Sequence, residues 1–308
     1  MPTMYFIGVT TAESSINAIF PRWADALGLD RVRLVGMDFV PHDDPARYRA
    51  AVRHIKGDAD SLGALVTTHK MDLFAACREL FDSIDPLAES MGEIASIYKR
   101  DGKLFGRAID PVNSGRSLNT FCRKDHWQTT GGNAQVCILG AGGASLALSW
   151  HLLTQLSSPE NRPARLIISD ISPSRIDHIR TYIATLKSPI PVEYHVCSGA
   201  ADNDALVSAL PAGSLVVNAT GLGKDAPGSP LTENAIFPNN AIVWEFNYRG
   251  NLVFLDQAKA QAEARHLQIV DGWTYFVHGW SSVIADVFDI PITADAFNRL
   301  SAIAAESR

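Results

Sequence analysis

The chain has 308 residues, 46% of them hydrophobic, and a formal net charge of −6 at pH 7. This length and apolar content suit two buried cores and exclude an intrinsically disordered protein. Lysine and arginine are dispersed along the chain, which argues against nucleic-acid binding, and no stretch approaches the length of a membrane span. Because residues 1–10 lack an export signal, we expect a cytoplasmic protein, and the cysteine and histidine spacings predict no metal site.

Strand-like and helix-like patterns alternate through the first 124 residues, which predicts an α/β domain. A 3.6-residue apolar stripe runs from Ile16 to Leu27 and is interrupted only by Pro21. The pair Asp101-Gly102 is typical of a two-residue hairpin turn. The predicted elements are strand 4–9, helix 16–27, strand 31–39, helix 45–56, strand 62–67, helix 71–80 and hairpin strands 94–98 and 103–109.

A polar, glycine-bearing stretch from Arg123 to Asn133 precedes a second alternating block, and we expect a hinge there. This block has the strand count of a Rossmann-type doubly wound sheet. Its predicted elements are strand 135–139, helix 144–156, strand 165–169, helix 173–186, strand 192–197, helix 203–210, strands 214–218 and 241–246, helix 252–266 and strand 267–270. Helices over 273–288 and 293–307 are expected to pack back on the first domain. The predicted domains are therefore 1–124 with 273–308, and 125–272, with a cleft between them.

The apolar strand 135–139 runs into the turn Gly140-Ala141-Gly142-Gly143-Ala144-Ser145, which opens the next helix. Such a turn leaves backbone N–H groups at a helix N-terminus, where they suit a pyrophosphate. The strand 165–169 ends in Asp170, whose carboxylate can accept hydrogen bonds from both hydroxyls of an adenine ribose and would repel a 2′-phosphate. NAD is therefore favoured, while Arg175 keeps NADP open as a phosphate ligand. A plain packing turn, with Asp170 as a solvated charge, is the alternative.

The order of several motifs resembles the shikimate/quinate dehydrogenase family over nearly the whole chain. The motifs are Gly63-Ala64-Leu65-Val66-Thr67-Thr68-His69-Lys70, the segment Asp101 to Asp110, the glycine turn 140–145, Val217-Asn218-Ala219-Thr220, Trp244 to Tyr248 and Asp271-Gly272. The resemblance implies an N-terminal α/β domain that binds a polyhydroxylated ring, a Rossmann domain that binds NAD(P), and a homodimer. It also implies that Lys70 and Asp110 are catalytic, and that Asn218, Ala219 and Thr220 contact the cofactor.

The chemistry of Lys70 and Asp110 also follows from the reaction itself. Oxidation of a secondary alcohol by hydride loss requires a group that takes the hydroxyl proton, and reduction requires one that returns it. A partly desolvated lysine can do both near neutral pH, and a neighbouring carboxylate favours its charged form. The alternative is a solvated lysine at a helix start and a turn carboxylate ahead of Pro111.

Departures from the family bear on the substrate. Family members hold a ring carboxylate with two serines spaced by one residue, helped by a hairpin asparagine. Here Ser14 is followed at that spacing by Ile16, or the pair shifts to include Ser15, and Ser96 stands for the asparagine. Glu13 beside the same pocket would repel a carboxylate. We therefore expect a neutral polyhydroxylated substrate, a cyclitol or sugar derivative, with shikimate or quinate as the alternative.

Three further residues are candidates for substrate contact. Thr67 and Tyr248 match family positions near the ring, although packing alone also explains a tyrosine there. His278 lies in an aromatic-rich helical pattern and is either a substrate ligand or a core histidine. The sequence thus predicts an NAD(P)-dependent oxidoreductase that interconverts a secondary hydroxyl and a ketone on a small molecule. The alternative from another class is a nucleotide-binding regulator without turnover.

Overall fold

The computed structural model describes residues 1–156, 158–224 and 226–307. The chain divides into two compact units: a first unit of Met1–Ile109 with Val277–Arg308, and a second unit of Asp110–Phe276. Both units combine helices with a sheet, which confirms the predicted α/β class. Within the described residues, none of the helices has both the length and the apolar character needed to cross a membrane.

The first unit contains a mixed sheet. In the described residues its six strands are β1 Thr3–Gly8, β2 Arg33–Asp38, β3 Ser61–Val66, β4 Ser83–Ile84, β5 Ser96–Arg100 and β6 Lys103–Arg107, in the order β2-β1-β3-β5-β6-β4. Strand β1 is buried along its whole length and pairs in parallel with β2 and β3, whereas β5 is antiparallel to β3 and β6. The carboxyl ends of β1 and β3 and the start of β5 therefore meet at one edge of this sheet.

Helices cover this sheet. They are α1 Ile16–Ala26, α2 Pro45–Gly57, α3 Lys70–Cys77, α4 Pro86–Met91 and α13 Ala294–Ala305, with short 3₁₀ helices at Thr11–Glu13 and Arg78–Leu80. Helix α12, Trp273–Phe288, contains the boundary between the units. Helix α1 continues through Pro21, and the indole N–H of the buried Trp23 donates to the carbonyl oxygen of Leu300 at 2.9 Å. This contact attaches the C-terminal helix to the first unit.

The second unit contains a parallel sheet. In the described residues its six strands are β7 Val136–Leu139, β8 Leu166–Asp170, β9 Val192–Val196, β10 Leu215–Asn218, β11 Ile242–Glu245 and β12 Gln268–Val270. Their order is β12-β11-β10-β7-β8-β9, and every pairing is parallel. This is the doubly wound Rossmann order, in which ligands bind where the strand order reverses, outside the carboxyl ends of the strands.

The helices of the second unit differ in part from the sequence prediction. The observed helices are α5 Asp110–Phe121, α6 His126–Thr129, α7 Gly143–Gln155, α8 Pro173–Thr185, α9 Ala200–Ser208, α10 Val253–Lys259 and α11 Ala262–Arg265. The single helix predicted over 252–266 is two helices, α9 begins three residues earlier than predicted, and neither α5 nor α6 was predicted. The buried face of α5 consists largely of small or polar residues, so no apolar stripe marks it: Asn113, Ser114, Gly115 and Ser117.

Close packing of α5 against α7 explains this composition, and it generates a prediction. A Cβ atom built on Gly115 would lie 2.1 Å from ring atoms of His151 on α7. We therefore expect Gly115→Ala to lower the free energy of unfolding by about 1–3 kcal/mol, as overpacking does. Urea unfolding followed by circular dichroism measures this change.

Gly57→Ala is the matched control, because a Cβ atom at this helix end has no described atom within 4 Å. We expect it to change the free energy of unfolding by less than about 1 kcal/mol. If the loss in Gly115→Ala persists undiminished when His151 is also changed to alanine, the clash is not its cause.

Candidate functional site

A cavity of about 290 Å³ lies at the carboxyl ends of the parallel strands of the second unit. Its lining includes residues that follow β7, β8, β9 and β10. Six of the predicted cofactor-binding residues line it: Gly140, Gly142, Asp170, Arg175, Ala219 and Thr220. The volume is near the lower end of ligand cavities, so it suits part of a dinucleotide, such as the adenosine and a phosphate.

The glycine turn joins β7 to α7. Gly140 has φ of +103°, and a Cβ atom on it would lie 2.9 Å from the carbonyl carbon of Ala219, so a side chain there would push two strand ends apart. Gly142 precedes the first turn of the 13-residue helix α7, and a Cβ atom on it would have no described atom within 4 Å. Backbone N–H groups at this helix N-terminus are therefore approachable, and the residues present fit a phosphate of a dinucleotide.

The remaining residues of the predicted fingerprint lie in or under the turn. Ala141 is buried, while Gly143 and Ala144 are partly exposed in the first turn of α7. Ser145 and Asn218 are completely buried, so neither presents its side chain to solvent in this structure. Ser145 occupies the position where a glycine usually permits close packing of helix and strand.

Asp170 ends β8 with its carboxylate fixed by two backbone groups. Its Oδ2 accepts a hydrogen bond from the N–H of Ala141 at 2.7 Å, and its Oδ1 accepts one from the N–H of Ser172 at 2.8 Å. Each oxygen keeps a second lone pair that a ribose hydroxyl can use. Ile171, which is 73% exposed, and the exposed Arg175 line the same cavity. Asp170, which favours NAD, and Arg175, which keeps NADP open, thus line the same cavity.

A buried acidic residue lies behind this cavity. Glu245 ends β11, is completely buried, and accepts hydrogen bonds from Asn218 Nδ2 at 2.5 Å and from the N–H of Asn247 at 2.8 Å. Burial raises the pKa of Glu245 to about 7, although these hydrogen bonds and the positive charge of Lys224 oppose the rise. The carboxyl group therefore changes charge near neutral pH.

Sequence patterns missed part of the cavity. Gly199, Ala200 and Asn203 reach it from the start of α9, and Ser229 and Pro230 reach it from a loop. Asn203 holds these parts together, because its Oδ1 accepts from the hydroxyl of Ser169 at 2.7 Å and its Nδ2 donates to the carbonyl of Pro230 at 3.0 Å. The signal available in the sequence was Gly199, two residues after the predicted parallel strand 192–197.

Lys70 lies at the edge of the first unit's sheet, as the first residue of α3. The N–H of Thr67 donates to the carbonyl of Ile7 at 2.9 Å, which ties the end of β3 to β1. Thr68 then has φ of +41°, which is unusual for a β-branched residue, and the N–H of His69 turns back to the carbonyl of Thr67. His69 is completely buried and its Nδ1 lies 2.9 Å from the hydroxyl of Tyr48. Lys70 thus follows a strained but anchored segment.

The loop after β1 contains the predicted serines. Asn17 Nδ2 donates to three carbonyl oxygens of this loop, those of Thr11, Ala12 and Ser14, at 2.9, 3.1 and 3.1 Å. Ser14 is buried, and its Oγ lies 3.5 Å from the N–H of Ile16. Ser15 is partly buried and precedes α1. The loop is therefore closed upon itself by the Asn17 amide.

Ser96 lies in a charged cluster. It is completely buried at the start of β5, and its hydroxyl donates to Asp286 Oδ2 at 2.9 Å. The other carboxylate oxygen of Asp286 lies 2.5 Å from an Arg107 nitrogen, and Arg107 also lies 3.5 Å from Asp85. Burial raises the pKa of Asp286, while Arg107 opposes that change. The guanidinium of Arg107 is thus shared by two carboxylates.

The remaining candidates divide between the units. In the first unit, His278 is buried and stacks on Phe297 with ring centroids 4.1 Å apart. In the second unit, Tyr248 is partly buried and packs against Phe276 at 4.4 Å, and the buried Asp110 is the first residue of α5. Asp110 therefore begins a helix and does not lie in a turn.

The chain belongs to the class of α/β proteins in which a Rossmann-type unit with a glycine turn is joined to a second α/β unit. No protein-family model matches the chain. A shikimate dehydrogenase (NADP(+)) of Lactococcus lactis subsp. cremoris is 28% identical over 186 residues, which are 59% of this chain and 60% of that protein. The match thus spans less than two thirds of the relative's own length.

Two solved structures share the fold over almost the whole chain. The ligand-free 5-ketofructose reductase of Gluconobacter sp. strain CHM43 is 20% identical with a TM-score of 0.71, and 98% of each chain is covered. Quinate dehydrogenase from Corynebacterium glutamicum in complex with NAD is 18% identical with a TM-score of 0.73, and 99% of each chain is covered. The resemblance predicted from the motifs is confirmed: the chain is similar in sequence to shikimate dehydrogenases and in fold to shikimate and quinate dehydrogenases.

The raised pKa of Glu245 generates a prediction about stability. An exposed glutamate titrates near 4.5, and this one titrates at about 7 in the folded state, so the folded protein holds the proton more tightly than the unfolded chain. Its contribution to stability is complete below the unfolded pKa and is lost as pH rises to the folded pKa. We expect the unfolding free energy of the wild type, measured relative to Glu245→Gln, to fall over this pH range and then level off.

Urea unfolding at a series of pH values measures this difference in unfolding free energy between the wild type and Glu245→Gln. Taking the difference cancels the contributions of the other titrating groups. Glu193→Gln is the matched control, because Glu193 lies on β9, where its carboxylate pairs with Arg165 outside the network around Glu245. A difference between wild type and Glu245→Gln that does not vary with pH would contradict the assignment.

Proposed function

We propose that this protein is an NAD-dependent oxidoreductase that interconverts a secondary hydroxyl and a ketone on a neutral polyhydroxylated small molecule. The observation that carries the proposal is the cavity of the second unit, where the glycine turn and Asp170 are arranged for a dinucleotide. The second unit would bind the cofactor, and the first unit would supply most of the substrate-binding residues. The names of the relatives, which are dehydrogenases and a reductase, support this chemistry.

The proposed role of Lys70 is proton transfer. A bound nicotinamide would supply the acceptor for the hydride of the carbinol C–H bond. Lys70 takes the hydroxyl proton as the carbonyl forms and returns it in the reverse reaction. Asp110 is proposed as the second catalytic group, because the resemblance implies that it corresponds to the family's aspartate and it is buried at the start of a helix.

Three features of the first unit support a substrate without a carboxylate. Asn17 closes the serine loop upon itself, and Ser14 is buried within it. The hydroxyl of Ser96 donates its hydrogen bond to Asp286, and the negative charge of Asp286 would repel a substrate carboxylate near Ser96. Arg107 is already shared by two carboxylates. The name 5-ketofructose reductase, given to a protein of the same fold, describes a neutral sugar as substrate.

Shikimate or quinate dehydrogenase proper is the second candidate, because the curated relative carries the name shikimate dehydrogenase. The two candidates share the reaction and differ in the carboxylate. A regulator that binds NAD without turnover is the third, and it has no use for a proton-transferring lysine. A homodimer and a cytoplasmic location stay predictions of the sequence.

The substrate proposal is tested by NADH formation from NAD with shikimate, quinate, neutral cyclitols and sugars. We expect turnover of neutral polyols, and we expect Lys70→Ala to lower kcat by about 10²–10⁴-fold because the proton acceptor is lost. NADH affinity should stay unchanged in this variant. Lys103→Ala, on the exposed start of β6, is the matched control and should keep full activity.

Turnover confined to shikimate or quinate would refute the neutral substrate and favour the second candidate. An unchanged kcat in Lys70→Ala would refute the role of Lys70. Tight NADH binding with no turnover on any of these compounds would favour the regulator.

The cofactor proposal has a separate test in kcat/KM for NAD and for NADP. The fixed carboxylate of Asp170 would repel a 2′-phosphate, so we expect NAD to be preferred and Asp170→Ser to shift the ratio towards NADP by about tenfold or more. Asp177→Ser, which removes an exposed carboxylate of α8, is the matched control and should leave the ratio unchanged. A wild type that prefers NADP, and loses that preference in Arg175→Ala, would contradict this assignment.

A further inference from the structure

A short turn, residues 219–222, forms one wall of the cavity in the second unit. Asn218 holds this turn from one side, because its Oδ1 accepts hydrogen bonds from the N–H and the hydroxyl of Thr220 at 3.0 and 2.6 Å. Asn247 holds it from the other side, because its Nδ2 donates to the carbonyl oxygens of Thr220 and Leu222 at 3.2 Å each. Two amide side chains therefore fix the position of the turn.

Glu245 joins these two amide residues. Its Oε2 accepts from Asn218 Nδ2 at 2.5 Å, and its Oε1 accepts from the backbone N–H of Asn247 at 2.8 Å. Glu245 is completely buried, so it acts on the turn through its neighbours. A buried polar network of this kind holds its geometry only while each member keeps its partner.

The charge of Glu245 and the backbone N–H of Thr220 favour the same orientation of the Asn218 amide. An amide can be turned end for end, and its neighbours determine which end is favoured. An ionised carboxylate only accepts hydrogen bonds, so it selects the Nδ2 end of Asn218 and leaves Oδ1 for Thr220. A protonated acid or a glutamine at position 245 also offers a donor. Position 245 then no longer opposes the other orientation of Asn218, which would leave two donors of Thr220 without their acceptor.

We propose that Glu245 is a positioning residue for cofactor binding: its ionised carboxylate fixes Asn218 and Asn247, which hold the 219–222 wall in place for the dinucleotide. This role rests on the proposed use of the cavity for NAD. The close approach of Gly140 to Ala219 carries the same constraint to the glycine turn, since even a Cβ atom on Gly140 would lie only 2.9 Å from the Ala219 backbone. A shift of the wall would therefore also disturb the phosphate-binding N–H groups.

The titration of this group supports the proposal. Burial raises the pKa of Glu245 to about 7, and the charge that faces it is that of Lys224, from the segment just after the turn. The carboxylate is thus lost as pH falls below neutrality. Cofactor affinity should follow its charge, with tighter binding above pH 7 and weaker binding below it.

The test is the Kd for NADH, measured by calorimetry from about pH 5.5 to about pH 8.5. At the upper end we expect Kd to be about tenfold larger in Glu245→Gln than in the wild type, as for one lost hydrogen bond to a charged group. The wild-type Kd should rise as pH falls through 7, whereas that of Glu245→Gln should stay flat. Glu245→Asp keeps the charge, so it should restore the pH dependence and part of the affinity.

The control Glu193→Gln should behave as the wild type, and circular dichroism checks that each variant is folded. Equal affinities and pH profiles in wild type and Glu245→Gln would overturn the proposal. If Glu245→Gln does not fold, the wild-type Kd for NADH tests the proposal alone. A wild-type Kd that does not vary with pH would overturn the proposal. If the wild type turns over substrate with NAD while its Kd for NADH does not vary with pH, only the positioning role of Glu245 is refuted. If the wild type binds neither NADH nor NADPH, the proposed function is refuted as well.

Discussion

The close approach of Gly140 to Ala219 constrains the end of the second unit where the cavity lies. It lies where β7 and β10, neighbours in the sheet, release their chains towards the cavity. There is no room for a side chain at Gly140, so the glycine turn packs closely on the 219–222 turn. Neither turn can therefore shift without displacing the other. The position of the α7 N-terminus therefore depends on β10 as much as on β7.

This constraint explains why a polar network is buried behind the cavity. The 219–222 turn exposes backbone donors and acceptors on its inner side, and buried groups of that kind need partners. Asn218 and Asn247 supply these partners, and Glu245 fixes both. An acidic residue is costly in such a place unless its hydrogen bonds are complete. Its presence indicates that the geometry of the turn matters more than the stability that an apolar residue would add.

The sequence predicted the sheets well, because strands buried in a parallel sheet are apolar runs bounded by turn residues. Strand β7, predicted over 135–139, is Val136–Leu139. Helix α5 escaped prediction because its buried residues are small and polar, and only the proximity of His151 reveals why they are buried. The partnership of Ser96 with Asp286, 190 residues away, and that of Asn218 with Glu245 also arise from tertiary contacts alone. The glycine turn and Asp170 were predictable because their chemistry is local.

The segment before Lys70 shows how core packing can hold a strained turn. It turns at Thr68 with a positive φ, a conformation that costs on the order of 1–3 kcal/mol. Such strain persists only if the surroundings hold it, and the buried His69, against Tyr48, provides that hold. The start of α3, and with it the backbone of Lys70, is thus fixed by core packing.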